Sequence, residues 1–314
     1  MRGVSTPAAA GVFICAAALI AGCASTQVGG LLEQRPGGLP AAAELAGTPF
    51  FAQEDYQCGP AALAMALVHA GRAATPEALV PQVYLPARKG SLQAEMLATA
   101  RRHRLVAYPL APKLQDLLRE TAAGNPVVVL QNLALDWAPQ WHYAVAIGYD
   151  LDAREIVLRS GTTRRLAMSL DTFERTWARS GRWAMLALPP ERLPATANES
   201  SYLAAAVALE RVAPAAARRA YETALERWPH SLAARLGQGN ASYAMRDLAG
   251  AAAAYLRATQ EHPEAADAWN NLAQALHELG SRDAALAAAR RAVSLGGPRQ
   301  SAYRETLEGI LRSP

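Results

Sequence analysis

The stretch QEDYQCGPAALAMAL, Gln53 to Leu67, carries the residues with the clearest chemical possibilities. Cys58 is the last of three cysteines, and the other two, Cys15 and Cys23, sit in an apolar N-terminal run. A thiol attacks only as thiolate, so its surroundings decide whether it is a reagent or a small hydrophobe. Gly59 and Pro60 fit a turn into a helix whose first turn holds Cys58, where the positive end of the macrodipole is expected to lower the thiol pKa. The apolar run AALAMAL would anchor that helix in a core. Gln53, five residues upstream, can bring a side-chain amide beside the thiol. With the Cys58 backbone N–H it would form a two-donor hole for the oxyanion of a tetrahedral intermediate.

A base is needed next, and the six histidines differ in what they can reach. His69 lies on the same predicted helix as Cys58, ~16 Å along the axis, beyond hydrogen-bond range. His103 falls in the charged stretch ARRHRL, and His230, His262 and His277 fall in the repetitive C-terminal region. His142 opens a predicted strand, HYAVAIGYD, behind the loop ALDWAPQW. A helix-borne cysteine facing a strand-borne histidine is the arrangement of papain-like thiol enzymes. Trp137 and Trp141 of that loop read as cleft wall or core rather than as specificity anchors.

The elements that must position these groups follow from the pattern. Residues 48–190 mix helical and strand signals, an α+β reading. Helices are expected at CGPAALAMALVHA, at SLQAEMLATARRH beginning at Ser91, at KLQDLLRETAAG and at SLDTFERTWARS. Strands are expected at LVAYPL, PVVVLQNL, HYAVAIGYD, EIVLRSG and RWAMLALPP, the last four forming an antiparallel sheet. Residues 191–198 read as a linker, because prolines and small polar residues interrupt the periodicity there. From 199 to 314 the chain is helical with a period of 34 residues: Ala217, Tyr221, Ala224 and Pro229 recur as Ala251, Tyr255, Ala258 and Pro263. That period with small residues at fixed places resembles about three tetratricopeptide repeats plus a C-terminal capping helix. The first unit lacks the aromatic residue and glycine of its first helix, so it reads as degenerate or as a cap.

The N-terminus and composition set the surroundings. Arg2 precedes AAAGVFICAAALIAGC, too short for a good membrane span and ending in small residues, as in a signal peptide over residues 1–22. LIAGC resembles the lipobox of bacterial lipoproteins, which implies cleavage behind Gly22 and lipid on Cys23. The absence of Asp beside Cys23 favours, within that resemblance, the outer membrane and a body facing the periplasm. Residues 23–47 read as a flexible tether. Cys58 is then an unpaired thiol in an oxidising compartment. The net charge of +4 comes mostly from scattered arginines, lysine occurring only at Lys89 and Lys113, so no nucleic-acid footprint is read.

QEDYQCGPAALAMAL followed some eighty residues later by WHYAVAIGYD resembles the peptidases that remove double-glycine leaders from bacteriocin precursors, together with their stand-alone relatives. The resemblance covers most of residues 48–190. It implies a papain-like fold with Gln53 as oxyanion-hole donor, Cys58 as nucleophile and His142 as general base and acid. The lipobox and repeats resemble a lipoprotein subgroup rather than the transporter-fused form, since no phosphate-binding Gly-rich loop appears. The family's third residue, an aspartate, should fall near EIVLRSG, where this chain has Ser160 and Gly161. Ser160, Asn132 and Asp150 stand as alternatives for that place, with Asp150 ~26 Å from His142 along an extended strand.

The expectation is a membrane-anchored thiol peptidase acting through a Cys58 thioester, without metal or cofactor, on a peptide or protein substrate. The repeats would recruit that substrate or a protein partner. The rival expectations are a catalytically impaired binding scaffold and a thiol acyltransferase or amidase.

Overall fold

The structure, a computed structural model, describes residues 27–52 and 57–313, so Gln53 and Cys23 lie outside the described residues. Two short elements come first, α1 (Gln27–Glu33) and β1 (Ala42–Glu44). Next is α2 (Cys58–His69), an Ala/Leu/Met helix whose residues Gly59 to Leu67 are all buried. A helix apolar all round has no solvent face and must sit inside the domain. Around it come α3 (Pro76–Val83), the hairpin β2 (Tyr84–Leu85) and β3 (Gly90–Ser91), and α4 (Gln93–Arg102). The helix expected from Ser91 starts two residues later, because Ser91 pairs with Tyr84 in that hairpin.

The sheet is built from β4 (Val106–Pro109), β5 (Val127–Asn132), β6 (Trp141–Asp150), β7 (Glu155–Ser160), β8 (Thr163–Ser169) and β9 (Ala184–Leu188). Two more helices, α5 (Leu114–Ala122) and α6 (Leu170–Ala178), interrupt the series. The strand order is β4-β9-β5-β6-β7-β8, and the paired neighbours are antiparallel. Side chains alternate across it. Val128, Leu130, Tyr143, Val145 and Ile147 pack with α2 in one core. Val127, Val129, Ala144 and Ala146 pack with α1, α5 and α6 in the other. The edge strand β8 was not read from sequence: its exposed Arg164 and Arg165 blunt the sheet edge and hide the alternation.

The described part of the segment expected to be a flexible tether is instead packed on the domain. Val28 and Leu31 are buried in the α5/α6 core, and the Gln27 backbone N–H donates to Glu174 at 2.8 Å. β1 pairs with the last residues of β6, beyond where β5 stops. The approach is close: a Cβ on Gly148 would lie 2.7 Å from the Ala43 carbonyl oxygen, so only glycine fits there.

The remaining helices each pack on the next along the chain: α7 (Glu199–Glu210), α8 (Pro214–Arg227), α9 (Leu232–Ala244), α10 (Leu248–Glu261), α11 (Ala266–Glu278), α12 (Arg282–Leu295) and α13 (Gln300–Arg312). The recurrent tyrosines explain the glycines facing them. A Cβ on Gly237 would meet the Tyr221 ring at 2.3 Å, and one on Gly239 would meet the Tyr255 ring at the same distance. The first unit departs from the repeat pattern because α7 leans on the sheet. Tyr202, Leu203 and Leu209 share one core with Val106, Tyr108 and Leu188.

The segment read as a linker is strapped down as well. Glu120 on α5 is fully buried and accepts the Ala195 and Thr196 backbone N–H groups, at 3.1 and 2.7 Å, and the Thr196 hydroxyl at 2.6 Å.

Candidate active site

Cys58 is the first residue of α2, and Gln57 before it offers no side-chain cap, so the helix start is open. The sulfur lies beside three backbone N–H groups, those of Tyr143, Gly59 and Cys58 itself, each favouring thiolate. Burial outweighs them and pushes the thiol above its ordinary range. The acidification expected from the macrodipole alone is therefore reversed, since the apolar helix that anchors Cys58 also removes water from it.

His142 is the second residue of β6. Its cross-strand neighbour Gln131 reaches Thr176 on α6 at 2.7 Å, so alternation turns His142 toward the α6 face and Tyr143 toward α2. His142 nevertheless opens on the same cleft as Cys58, because it stands where the sheet ends. Its Nε2 lies 2.8 Å from Ser160 Oγ. Burial pushes the imidazole below its ordinary range, and no carboxylate opposes that shift. Among the described residues no hydrogen bond joins Cys58 to His142; what they share is a cleft of about 910 Å³. Its walls include Arg88, Ser91 and Gln93 on one side and Leu130, Trp141 and Gly161 on the other.

The other sequence candidates are placed elsewhere. Asn132 accepts the Ala134 and Gln140 backbone N–H groups at 3.1 and 2.9 Å, so its side chain closes the loop before β6. Asp150 accepts from the backbone of Asp152 and Ala153 in the turn after β6. His69 bridges Thr48 and the Gly124 carbonyl, away from the cleft. Gln53 belongs to residues 53–56, outside the described residues. The segment leading to it is pinned, since Arg159 donates to the Ala46 and Thr48 carbonyls at 3.0 Å each. Among the described residues no cluster of His, Cys, Asp and Glu could hold a metal ion.

Ser91 was not singled out for this site, yet it shapes it. Its Oγ is buried and has no hydrogen-bond partner among the described residues. A Cβ on Gly59 would lie 2.2 Å from that oxygen and 2.6 Å from the Ser91 Cβ. Gly59→Ala would gain about 1 kcal/mol of helix propensity against an overlap costing about 1–3 kcal/mol. A net loss of stability is expected in chemical denaturation, with full recovery in Gly59→Ala/Ser91→Gly. No loss in the single variant would show that the hairpin yields freely.

A cysteine at the start of a buried helix and a histidine at the end of an antiparallel sheet, opening on one cleft of an α+β domain, is the arrangement expected of a papain-like domain. Residues 46–185 match the Peptidase_C39 like family, and residues 202–263 and 236–302 match the tetratricopeptide repeat. The chain is thus a C39-like domain followed by tetratricopeptide repeats. No curated protein matches it. Among solved structures, a candidate C39-like peptidase from Bacillus anthracis is 19% identical, with a TM-score of 0.41, and covers 48% of this chain and 98% of its own. Two structures of MamA are 18% and 17% identical, with TM-scores of 0.30 and 0.31. They cover 36% and 46% of this chain and 77% and 76% of theirs.

Proposed function

We propose that the protein is a cysteine-type hydrolase of peptide or amide bonds, with Cys58 as nucleophile and His142 as base and then acid. The observation that supports this best is the opening of both residues on one cleft, with His142 Nε2 2.8 Å from Ser160 Oγ. Nε2–H donating to Ser160 leaves Nδ1 to take the Cys58 proton. Burial favours the uncharged form of both groups, so the resting pair is thiol and imidazole, and proton transfer accompanies attack. Sulfur bonds to the carbonyl carbon, and the tetrahedral oxyanion meets the Cys58 backbone N–H, which as the first of the helix has no intrahelical acceptor. Gln53 is the expected second donor.

His142 then gives its proton to the departing amine as the C–N bond breaks, leaving a thioester. It next takes a proton from the water whose oxygen attacks the thioester carbon, and the C–S bond breaks to release the acid as that proton returns to the Cys58 sulfur. The repeats, fixed to the sheet through α7, are suited to hold a peptide or protein partner near the cleft. Lipid on Cys23, at the outer membrane and facing the periplasm, completes the reading.

The decisive experiment is acid quenching of the chain during incubation with a peptide pool, followed by intact-mass measurement. A hydroxylamine-sensitive acyl adduct on Cys58 is expected, and peptide turnover retained in Cys58→Ala would remove Cys58 as nucleophile.

A further inference from the structure

Four of the nine large hydrophobic side chains exposed among the described residues crowd into one loop and its exit: Leu133, Leu135, Trp137 and Trp141. Leu135 is 52% and Trp137 83% exposed, which for a loop beside a cleft is a large apolar surface left in water. The loop is held in that shape. Asn132 binds it from inside, the Leu133 N–H donates to the Gln140 carbonyl at 2.9 Å, and Arg179 donates to the Ala134 carbonyl at 2.8 Å. Its one acidic residue, Asp136, lies 3.9 Å from Arg179.

Arg179 caps the C-terminal end of α6, whose exposed Arg175 is one turn away. The same helix carries Glu174, which accepts the Gln27 and Val28 backbone N–H groups at 2.8 and 3.3 Å. Three residues separate Cys23 from Gln27. Even fully extended, the chain from one to the other spans at most about 14 Å. A lipid on Cys23 would therefore keep the Glu174 turn of α6 close to the bilayer, and Arg175 and Arg179, with the loop that Arg179 holds, follow on the same helix.

We propose that residues 133–138 dock on an anionic bilayer surface, with Trp137 and Leu135 in the headgroup layer and Arg175 and Arg179 toward lipid phosphates. This rests on the lipid-anchor reading of Cys23. An amphipathic aromatic ring suits that depth, and cationic side chains suit that charge. The loop then acts as a second membrane signal that fixes the orientation of the cleft, which a single-point anchor cannot do.

The test uses the full chain, purified from membranes and bound to phosphatidylcholine/phosphatidylglycerol vesicles containing acyl-brominated lipid. Tryptophan fluorescence should be quenched, with the quenched fraction falling roughly two-fold in Trp137→Phe and also falling in Leu135→Ser, which keeps the fluorophore. Quenching unchanged in both variants, or absent in a vesicle-bound chain whose Cys23 carries lipid by mass spectrometry, overturns the docking alone. An unmodified Cys23 in that preparation overturns the anchor reading and the docking with it.

Discussion

Ser160→Asp is expected to raise the reactivity of Cys58 at neutral pH by ten-fold or more. The site as it stands favours the uncharged form of each partner. Burial pushes Cys58 up and His142 down, and the group 2.8 Å from His142 Nε2 is a hydroxyl that can accept a hydrogen bond without balancing a positive charge. A carboxylate near an imidazole shifts its pKa up by about 1–3 units. Imidazolium in the cleft would then lower the thiol pKa, so thiolate forms at lower pH.

The readout is the iodoacetamide alkylation rate against pH. In the wild type the rate should climb only through and above the ordinary thiol range near pH ~8.5, with no plateau near pH ~6. In Ser160→Asp the rise should move toward neutrality, and His142→Ala in that background should cancel the move. Ser160→Ala, which removes an acceptor but no charge, should leave the profile near wild type. Identical profiles for wild type and Ser160→Asp would mean that His142 and Cys58 do not communicate, and the base assignment would fail.

The same pair shows what a sequence makes legible. Cys58 at a helix start and His142 at a strand start could be read because both periodicities are local: AALAMAL is apolar at every position, and HYAVAIGYD is bounded by a loop and a turn. Burial of the helix that carries Cys58 could be read too. What could not was its consequence, because the sign of the thiol shift depends on how much water the whole domain excludes. Ser160 was legible as the residue standing near the expected carboxylate, and its distance to His142 is set by the sheet register.

Other features were hidden by composition. QVGGLLEQRPGG looks like a tether, since glycines and prolines outnumber its apolar residues, yet Val28 and Leu31 are enough to seat α1. β1 is three residues long and exists only because β6 outruns β5. The degenerate first repeat was visible as a missing aromatic and glycine. Its cause, a sheet in place of a preceding repeat, is a tertiary fact no 34-residue period carries.

Glu120→Ala is the second large effect, expected to cost about 3–5 kcal/mol and to lower the melting temperature by on the order of 10 °C. Glu120 is fully buried and accepts four hydrogen bonds, from Asn125 Nδ2 at 2.7 Å and from the three donors of Ala195 and Thr196. Truncating it leaves those donors in a space with no replacement acceptor, the costly direction of the hydrogen-bond asymmetry. Glu120→Gln keeps one acceptor oxygen and should lose roughly half as much.

The effect should also change the shape of unfolding. Tyr202, Leu203 and Leu209 of α7 lie in one core with strands β4 and β9, so the wild type should melt through a transition in which both halves lose structure together. With the strap at residues 195–196 released, the repeats should separate from the sheet first, giving two calorimetric transitions. Glu120→Ala melting at the wild-type temperature, as one transition, would mean the shared apolar core alone joins the halves. If the strap does join them, the repeat surface keeps a fixed distance and angle to the cleft. A partner bound there is then delivered to Cys58 by geometry, without the entropy loss of ordering a flexible linker.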